Sequence, residues 1–270
     1  MHMNILVTLN SNYLKPLKVM LKSLFINNPK ERFYIYMIHS DMKETELSDI
    51  SMLVQKDGNK FYAIRVRNEY FKDSPLTMHY TKEMYYRLLA FKFLPKDVDK
   101  ILYLDPDILV INSIKKLYDT DISEYLYAAA YHDIPTVKEI NRLRLKPYEV
   151  ERYYNSGVLL MNISLQRELV KEEEILNFVQ NNKNKLILPD QDIINALYAK
   201  YIKQINGIIY NYDPRYYKYN KIISKGNIDM DYVINNTSII HFCGKRKPWQ
   251  KSYTGEFYSL YKHYEKVAES

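Results

Sequence analysis

Apolar positions along the first two-thirds of the chain recur with two alternating periods, one that suits a strand and one that suits a helix. Asn4 to Leu9 is an apolar run with β-branched content that stops at the turn-forming Asn10-Ser11-Asn12, and it predicts a first strand. Leu14, Leu17, Met20 or Leu21, and Leu24 then share one face of a helix over about 14–26, with Pro16 tolerated in its first turn and Asn12 placed to cap it. The pattern repeats: strands at Arg32–Ile38, Lys60–Val66 and Lys100–Leu104, helices at Lys43–Val54 and Lys82–Phe93. A strand followed by a helix returns parallel, so these units predict an α/β chain with a doubly wound open sheet. In such sheets ligands bind beyond the carboxyl ends of the strands, where Asn10 and Asp105 fall.

Beyond Asp107 the order becomes mixed. Strands are expected at Ile108–Ile111, Leu126–Tyr131 and Gly157–Asn162, interrupted by a helix at Thr136–Arg152. Helices at Leu165–Asn181 and Gln191–Lys200 follow, then a Tyr/Asn-rich stretch, Ile208–Tyr219, that carries little period and reads as irregular. Ser238–Phe242 is the last strand, and Phe257, Leu260, Tyr261 and Tyr264 mark one face of a terminal helix.

At 270 residues and 47% apolar content, the chain can bury a full core without a second domain, and its 6 glycines and 10 prolines leave no room for long linkers. One cysteine, Cys243, excludes an internal disulfide framework and permits a reducing compartment, so cytoplasmic placement is the expectation. No apolar run approaches the roughly 20 residues that span a bilayer. The net charge of +7 favours anionic ligands or surfaces without choosing between them. The aromatics form no stacking platform, so a nucleic-acid partner is not expected.

The sharpest local feature is ILYLDPDILV, where a buried-type strand runs into Asp105 and Asp107 with Pro106 between them. In an extended chain, residues i and i+2 point to one side, so the two carboxylates converge and call for a cation; hard oxygen ligands suit Mn²⁺ or Mg²⁺. The same three residues also make an ordinary Asp-Pro-Asp turn with solvated charges. Two carboxylates this close in sequence cannot flank a scissile bond as a glycosidase pair does.

Six blocks occur in one order: VTLNSNYLKPLKVMLKSL, TKEMYYRLLAFKFLP, KILYLDPDILVINSIKKLYDTDI, YYNSGVLLMNI, LPDQDIINALY and IIHFCGKRKPW. Together they resemble the family 8 retaining glycosyltransferases, the group of glycogenin and the bacterial lipopolysaccharide galactosyl- and glucosyltransferases, over roughly residues 4 to 250. The resemblance implies a GT-A type fold, a mixed and mostly parallel sheet with helices on both faces, as one domain over 4–250 with a helical extension at 251–270. It also implies UDP-glucose or UDP-galactose as donor, a Mn²⁺ cofactor with Mg²⁺ as the substitute, and retention of anomeric configuration.

Carried over block by block, the resemblance puts the uracil near Thr8, Asn10 and Tyr13. Many relatives have Asp where this chain has Asn10, although the amide carbonyl can still accept from the base; a turn and helix cap accounts for the same residues. Arg87 is implied at the donor sugar, where its sequence context alone reads as a surface arginine. Asp133 is implied to hold hexose hydroxyls. Asn155 and Ser156 open a buried strand beside Gly157, which lets a ligand approach the backbone. Asp190 is implied at the donor sugar hydroxyls and Gln191 near the anomeric carbon, Asp190 alternatively being a helix cap. The metal set implied is Asp105, Asp107 and His241, with Pro106 between the carboxylates and Gly244 and Lys247 offering a backbone and an ammonium to the diphosphate.

The reaction this implies is transfer of a hexose to a hydroxyl of a glycan, lipid-linked or glycoprotein acceptor. A catalytically silent nucleotide-sugar-binding protein would carry the same motifs. Lys245-Arg246-Lys247 and the lysine-studded terminal helix are candidates for peripheral contact with the inner face of a membrane, although a solvated helix is the simpler account of them.

Overall fold

The computed structural model describes residues 2–67, 82–131, 145, 148, 151–182 and 185–269. Its strands are β1 (Met3–Thr8), β2 (Phe33–His39), β3 (Lys60–Arg65), β4 (Lys100–Leu104), β5 (Ile108–Val110), β6 (Tyr127–Tyr131), β7 (Tyr154–Asn162), β8 (Ile202–Gln204) and β9 (Ile239–His241). Seven of them form one sheet in the order β3-β2-β1-β4-β7-β6-β8, while β5 and β9 pair as a separate two-stranded sheet. β1 is parallel to β2 and β4, and β7 runs antiparallel to both β4 and β6, so the sheet is mixed and mostly parallel.

The central strands are apolar without alternation because both faces are covered. Leu6, Ile38, Tyr103 and Leu159 point into one core with Tyr85, Leu88, Ile193 and Ile194 from the helices on that side. Ile5, Val7, Leu102, Leu104 and Leu160 point into the other, against Leu17, Met20, Leu21 and Leu24 of helix Leu14–Asn27. Each such fully buried side chain contributes about 1.5–3 kcal/mol relative to exposure. A third cluster joins Leu109 of β5 and Ile240 of β9 to Tyr261 and Tyr264 of helix Tyr258–Glu269.

Several expected elements differ. The helix expected at Lys82–Phe93 is two pieces, Lys82–Leu88 and Ala90–Phe93, separated at Leu89. The helix expected at Leu165–Asn181 breaks at Val170, which is extended because its side chain is drawn into the core, leaving Ile163–Leu169 and Glu172–Asn182. The Ile208–Tyr219 stretch is not irregular: it holds helix Gly207–Tyr210, a 3-10 turn at Pro214–Tyr216 and the start of helix Tyr217–Ile223. Asn206 and Asp213 initiate these through side-chain oxygens that accept the backbone N–H groups of Ile208 and Arg215. Asp133 and most of the helix expected at Thr136–Arg152 lie outside the described residues, and Glu151 and Arg152 at its end form a bend. No helix among the described residues is long and apolar enough to cross a membrane.

Candidate active site

Asp105 and Asp107 do not converge through the strand pleat. β4 ends at Leu104, Asp105 still donates its N–H to the carbonyl of Gly157 at 2.9 Å, and Pro106-Asp107 then turns the chain out of the main sheet into β5. β5 is fixed by helix Leu14–Asn27, where Ser23 Oγ accepts from Val110 N at 3.0 Å and Asn27 Nδ2 donates to Val110 O at 2.9 Å. Its partner β9 runs antiparallel with Ile108 opposite His241, which carries the imidazole to the carboxylates from far along the chain. Asp105, Asp107 and His241 each offer a ligand atom, all within 4.8 Å of one another. His241 Nε2 is 3.3 Å from Asp107 and 3.8 Å from Asp105.

A chain of amides sets the tautomer of that histidine. The N–H of Gly157 donates to Asn155 Oδ1 at 2.9 Å, which fixes the Asn155 amide with its nitrogen toward Gln191 Oε1. Asn155 Oδ1 therefore also accepts from Asn211 Nδ2 at 3.0 Å, and Asn211 turns its own oxygen to His241 Nδ1 at 2.8 Å. Nδ1 must carry the proton, so Nε2 faces the carboxylates as the ligand atom. Replacing Asn211 by alanine is expected to weaken divalent-cation activation about 10- to 100-fold. It should also cost about 1–3 kcal/mol of stability, read as a lower Tm, since a buried imidazole N–H loses its acceptor.

Gly157 makes the space. A Cβ there would collide with His241 Cε1 and stand 2.6 Å from Asp105 Oδ2 and 2.9 Å from His241 Nε2. The space beside Asp105 Oδ2 and His241 Nε2 is thus open because this residue has no side chain.

Opposite charges balance the carboxylates. Arg87 donates to Asp105 Oδ1 at 2.6 Å, to Ser156 Oγ at 3.0 Å, and to Asp190 and the hydroxyl of Tyr103. Burial opposes its charge, but Asp105, Tyr103 and Asp190 keep the guanidinium firmly protonated. Arg87 is therefore an interior bridge and not the surface arginine its local sequence indicates. Burial and the adjacent Asp107 raise Asp105, with Arg87 pulling the other way. Asp107 lies below the ordinary carboxylate range, because His241 and Lys247 outweigh the cost of burying it. Burial disfavours a charged His241, yet Cys243 and Asp107 lift it well above its ordinary value. The Cys243 thiol is itself pushed up by burial and is neutral at pH 7, so Asp107 is the charge that matters.

The remaining expected residues gather around this centre. Asp190 is not the cap of helix Pro189–Tyr198: Asp192 accepts the N–H groups of Ile187 and Leu188 at 2.8 and 3.1 Å, and Asp190 is left to pair with Arg87 and Ser156. Gln191 is buried, its oxygen accepting from Asn155 Nδ2 and Ser156 N at 3.3 and 3.4 Å. Lys247 bonds Asp107 and the carbonyl of Phe242, so it belongs to the interior, and only Lys245 and Arg246 of that basic triplet are exposed. Gly244, at φ +87°, has Arg215 against it at 2.7 Å from the position of a Cβ. Thr8 Oγ1 lies 3.3 Å from the Tyr103 hydroxyl. Asn10 caps the turn Ser11–Tyr13 by accepting from Asn12 N, and Tyr13 stands edge-on to Trp249 with centroids 6.1 Å apart.

Sequence reasoning missed Tyr103, Asn211 and Trp249. Tyr103 donates to Asp105 at 2.5 Å and bonds Arg87; it lies two residues before Asp105 on the same side of β4, a periodicity that points to it.

A family model described as glycosyl transferase family 8 matches residues 4–252. General stress protein A of Bacillus subtilis is 28% identical, with 97% of this chain and 92% of that protein aligned. The lipopolysaccharide 1,2-glucosyltransferase of Escherichia coli K12 is 25% identical over 92% of this chain and 73% of its own. The lipopolysaccharide 1,3-galactosyltransferase of Salmonella typhimurium is 23% identical over 91% and 72%. Among solved structures, the galactosyltransferase LgtC in complex with donor and acceptor sugar analogs shares the fold, with a TM-score of 0.83 at 24% identity over 98% of this chain and 96% of that one.

Proposed function

Because the chain belongs to glycosyl transferase family 8, we propose that it moves glucose or galactose from a UDP-sugar to a hydroxyl of a glycan, lipid-linked or glycoprotein acceptor, with retention of configuration. The observation that carries this reading is the convergence of Asp105, Asp107 and His241 over Gly157, with Arg87, Asp190 and Gln191 alongside. The naming of relatives for glucosyl and galactosyl transfer supports a hexose. Residues 4–250 act as the catalytic unit, and 251–270 as an extension whose Tyr264 bonds Asn27 of helix Leu14–Asn27.

Two carboxylate oxygens, an imidazole nitrogen and a cradle that a Cβ would fill suit Mn²⁺, with Mg²⁺ as the harder substitute. A cation there would neutralise the diphosphate and stabilise charge on the departing phosphate oxygen. Lys247, already inside the site, supplies a further positive charge on that side, and the Gly244 turn a backbone approach. Thr8, Asn10 and Tyr13 form the wall for the uracil, with Trp249 bracing the Tyr13 ring. Asp190 and Asp133 hold hydroxyls of the hexose, Arg87 fixing Asp190, and Asn155 and Ser156 fix Gln191 beneath the anomeric carbon.

Retention follows from attack on the face that UDP leaves. The bond from the anomeric carbon to the phosphate oxygen breaks, the acceptor oxygen bonds that carbon, and the acceptor's proton passes to the departing oxygen. An amide is a poor nucleophile, and the oxygen of Gln191 is engaged by two N–H donors. Asp190, the neighbouring carboxylate, is held by Arg87.

A UDP-release assay across nucleotide sugars, with and without Mn²⁺, tests the proposal. Release from UDP-glucose or UDP-galactose that EDTA abolishes is expected. Binding of UDP and Mn²⁺ with no release from any donor would make the chain a silent binding protein instead.

A further inference from the structure

Ile222, in helix Tyr217–Ile223, is 76% exposed, more than any other large apolar side chain among the described residues, and its neighbour Ile223 is 58% exposed. Tyr219, 43% exposed, precedes them at helical spacing i, i+3, i+4, so the three share one face turned to solvent. A single exposed isoleucine is ordinary, but an apolar cluster rimmed by charge is the pattern of a contact surface. The rim is wholly cationic: from Arg215 to Ile228 the sequence holds Arg215, Lys218, Lys221 and Lys225 and no acidic residue. Arg215 is engaged by Asp213, whereas the three lysines are exposed and make no ion pair among the described residues. Lys225 even has φ +53°, the left-handed conformation that glycine or asparagine ordinarily takes at a helix end. Gly226 follows at φ +88°, its N–H donating to the carbonyl of Lys221 at 2.8 Å to close the turn. A positive charge thus stands where the backbone favours another residue.

The two basic segments marked by the sequence are less suited to such contact. Lys247 is turned in on Asp107. Helix Tyr258–Glu269 sets Lys262 and Lys266 against Glu265 and Glu269, with Glu265 bonded to Lys262 and Glu269 to Lys15 of the neighbouring helix, so it offers no net charge. Unpaired lysines around an aliphatic tip also choose the partner. A second copy of the chain docked about a two-fold axis would set lysine against lysine. Nucleic acid would match the charge but give the isoleucines no apolar phase. An anionic bilayer satisfies both, with aliphatic side chains at the acyl boundary, lysines on the phosphates and tyrosine between. The helix also stands on the reacting side of the molecule. Ile223 shares a cavity lining with Tyr131 and Gln204 at the carboxyl ends of β6 and β8, which run parallel to β4 and its Asp105.

We propose that helix Tyr217–Ile223 and the turn after it dock on an anionic phospholipid bilayer, with Ile222 and Ile223 inserted and Lys218, Lys221 and Lys225 on the headgroup phosphates. Docking of this kind is independent of the transferase reading and is measured without catalysis. Co-sedimentation with vesicles of phosphatidylcholine alone, and of phosphatidylcholine mixed with phosphatidylglycerol, tests it. The wild type is expected to bind the mixed vesicles and not the neutral ones, and to be released by high salt. A lysine at such a surface strengthens binding about fivefold, so replacing all three by glutamine should weaken it about 100-fold. Ile222→Ser with Ile223→Ser should weaken it about tenfold or more. Both variants should keep the wild-type Tm, since the side chains are exposed. Lys225→Asn separates docking from folding: binding about fivefold weaker, at a Tm equal to or above the wild type's, is expected. Wild-type protein that binds neither vesicle, binding unchanged in these variants, or binding lost only in Lys245→Ala with Arg246→Ala overturns the docking surface. A dimer that Ile222→Ser dissociates, or binding to duplex DNA, with no vesicle bound in either case, overturns it equally.

Discussion

Asp107→Asn is expected to lower kcat/KM about a thousandfold or more, equivalent to about 4 kcal/mol of transition-state stabilisation. The substitution removes a metal ligand and also leaves the Lys247 ammonium, 15% exposed, without its anion. Raising Mn²⁺ should recover little of the loss, because a carboxamide cannot replace the charge. A second readout is available in EDTA. Asp107 sits below its ordinary value of 3.8 when folded, so the stability it contributes is full above pH 3.8 and fades as pH falls below that. The Tm difference between wild type and variant should therefore narrow in acid and be widest near neutrality. Activity within a few fold of wild type would show that the carboxylate has no part in the reaction.

Gly157→Ala is the second large effect. Substituting glycine by alanine in a strand ordinarily helps or is neutral, since backbone freedom is lost from the unfolded chain. Here the added methyl collides with His241 and approaches Asp105 to 2.6 Å, and both side chains are fixed, one by Asn211 and the other by Arg87 and Tyr103. The expectation is a loss of cation-dependent activity of at least about 100-fold, with a stability cost of about 1–3 kcal/mol from overpacking. Kinetics with a Mn²⁺ titration and a thermal melt separate the two. A variant that melts higher and keeps its Mn²⁺ response would show that the cradle is not needed.

Much of the site is legible in the chain because its residues sit at ends of strongly apolar strands. Asp105 follows KILYL and His241 follows SII, and a strand buried on both faces is recognisable without knowing its neighbours. What escaped depends on pairing at a distance. Asn211 acts through His241, thirty residues away, and lies in a Tyr/Asn-rich stretch whose short helices are started by side-chain caps and not by any apolar period. The three-residue β8 has no signal of its own and exists because β6 offers it an edge. Lys247 reads as part of an exposed basic triplet, and only the fold shows it turned in on Asp107. The breaks at Leu89 and Val170 likewise answer to the core and not to local propensity.

The most direct measurement is a crystal structure of the protein soaked in Mn²⁺ and UDP, with diffraction collected at the manganese edge. One anomalous peak within coordinating distance of Asp105, Asp107 and His241, touching the diphosphate, is the predicted result. A UDP-bound structure with no peak between those three residues, or with manganese bound only elsewhere, would contradict it.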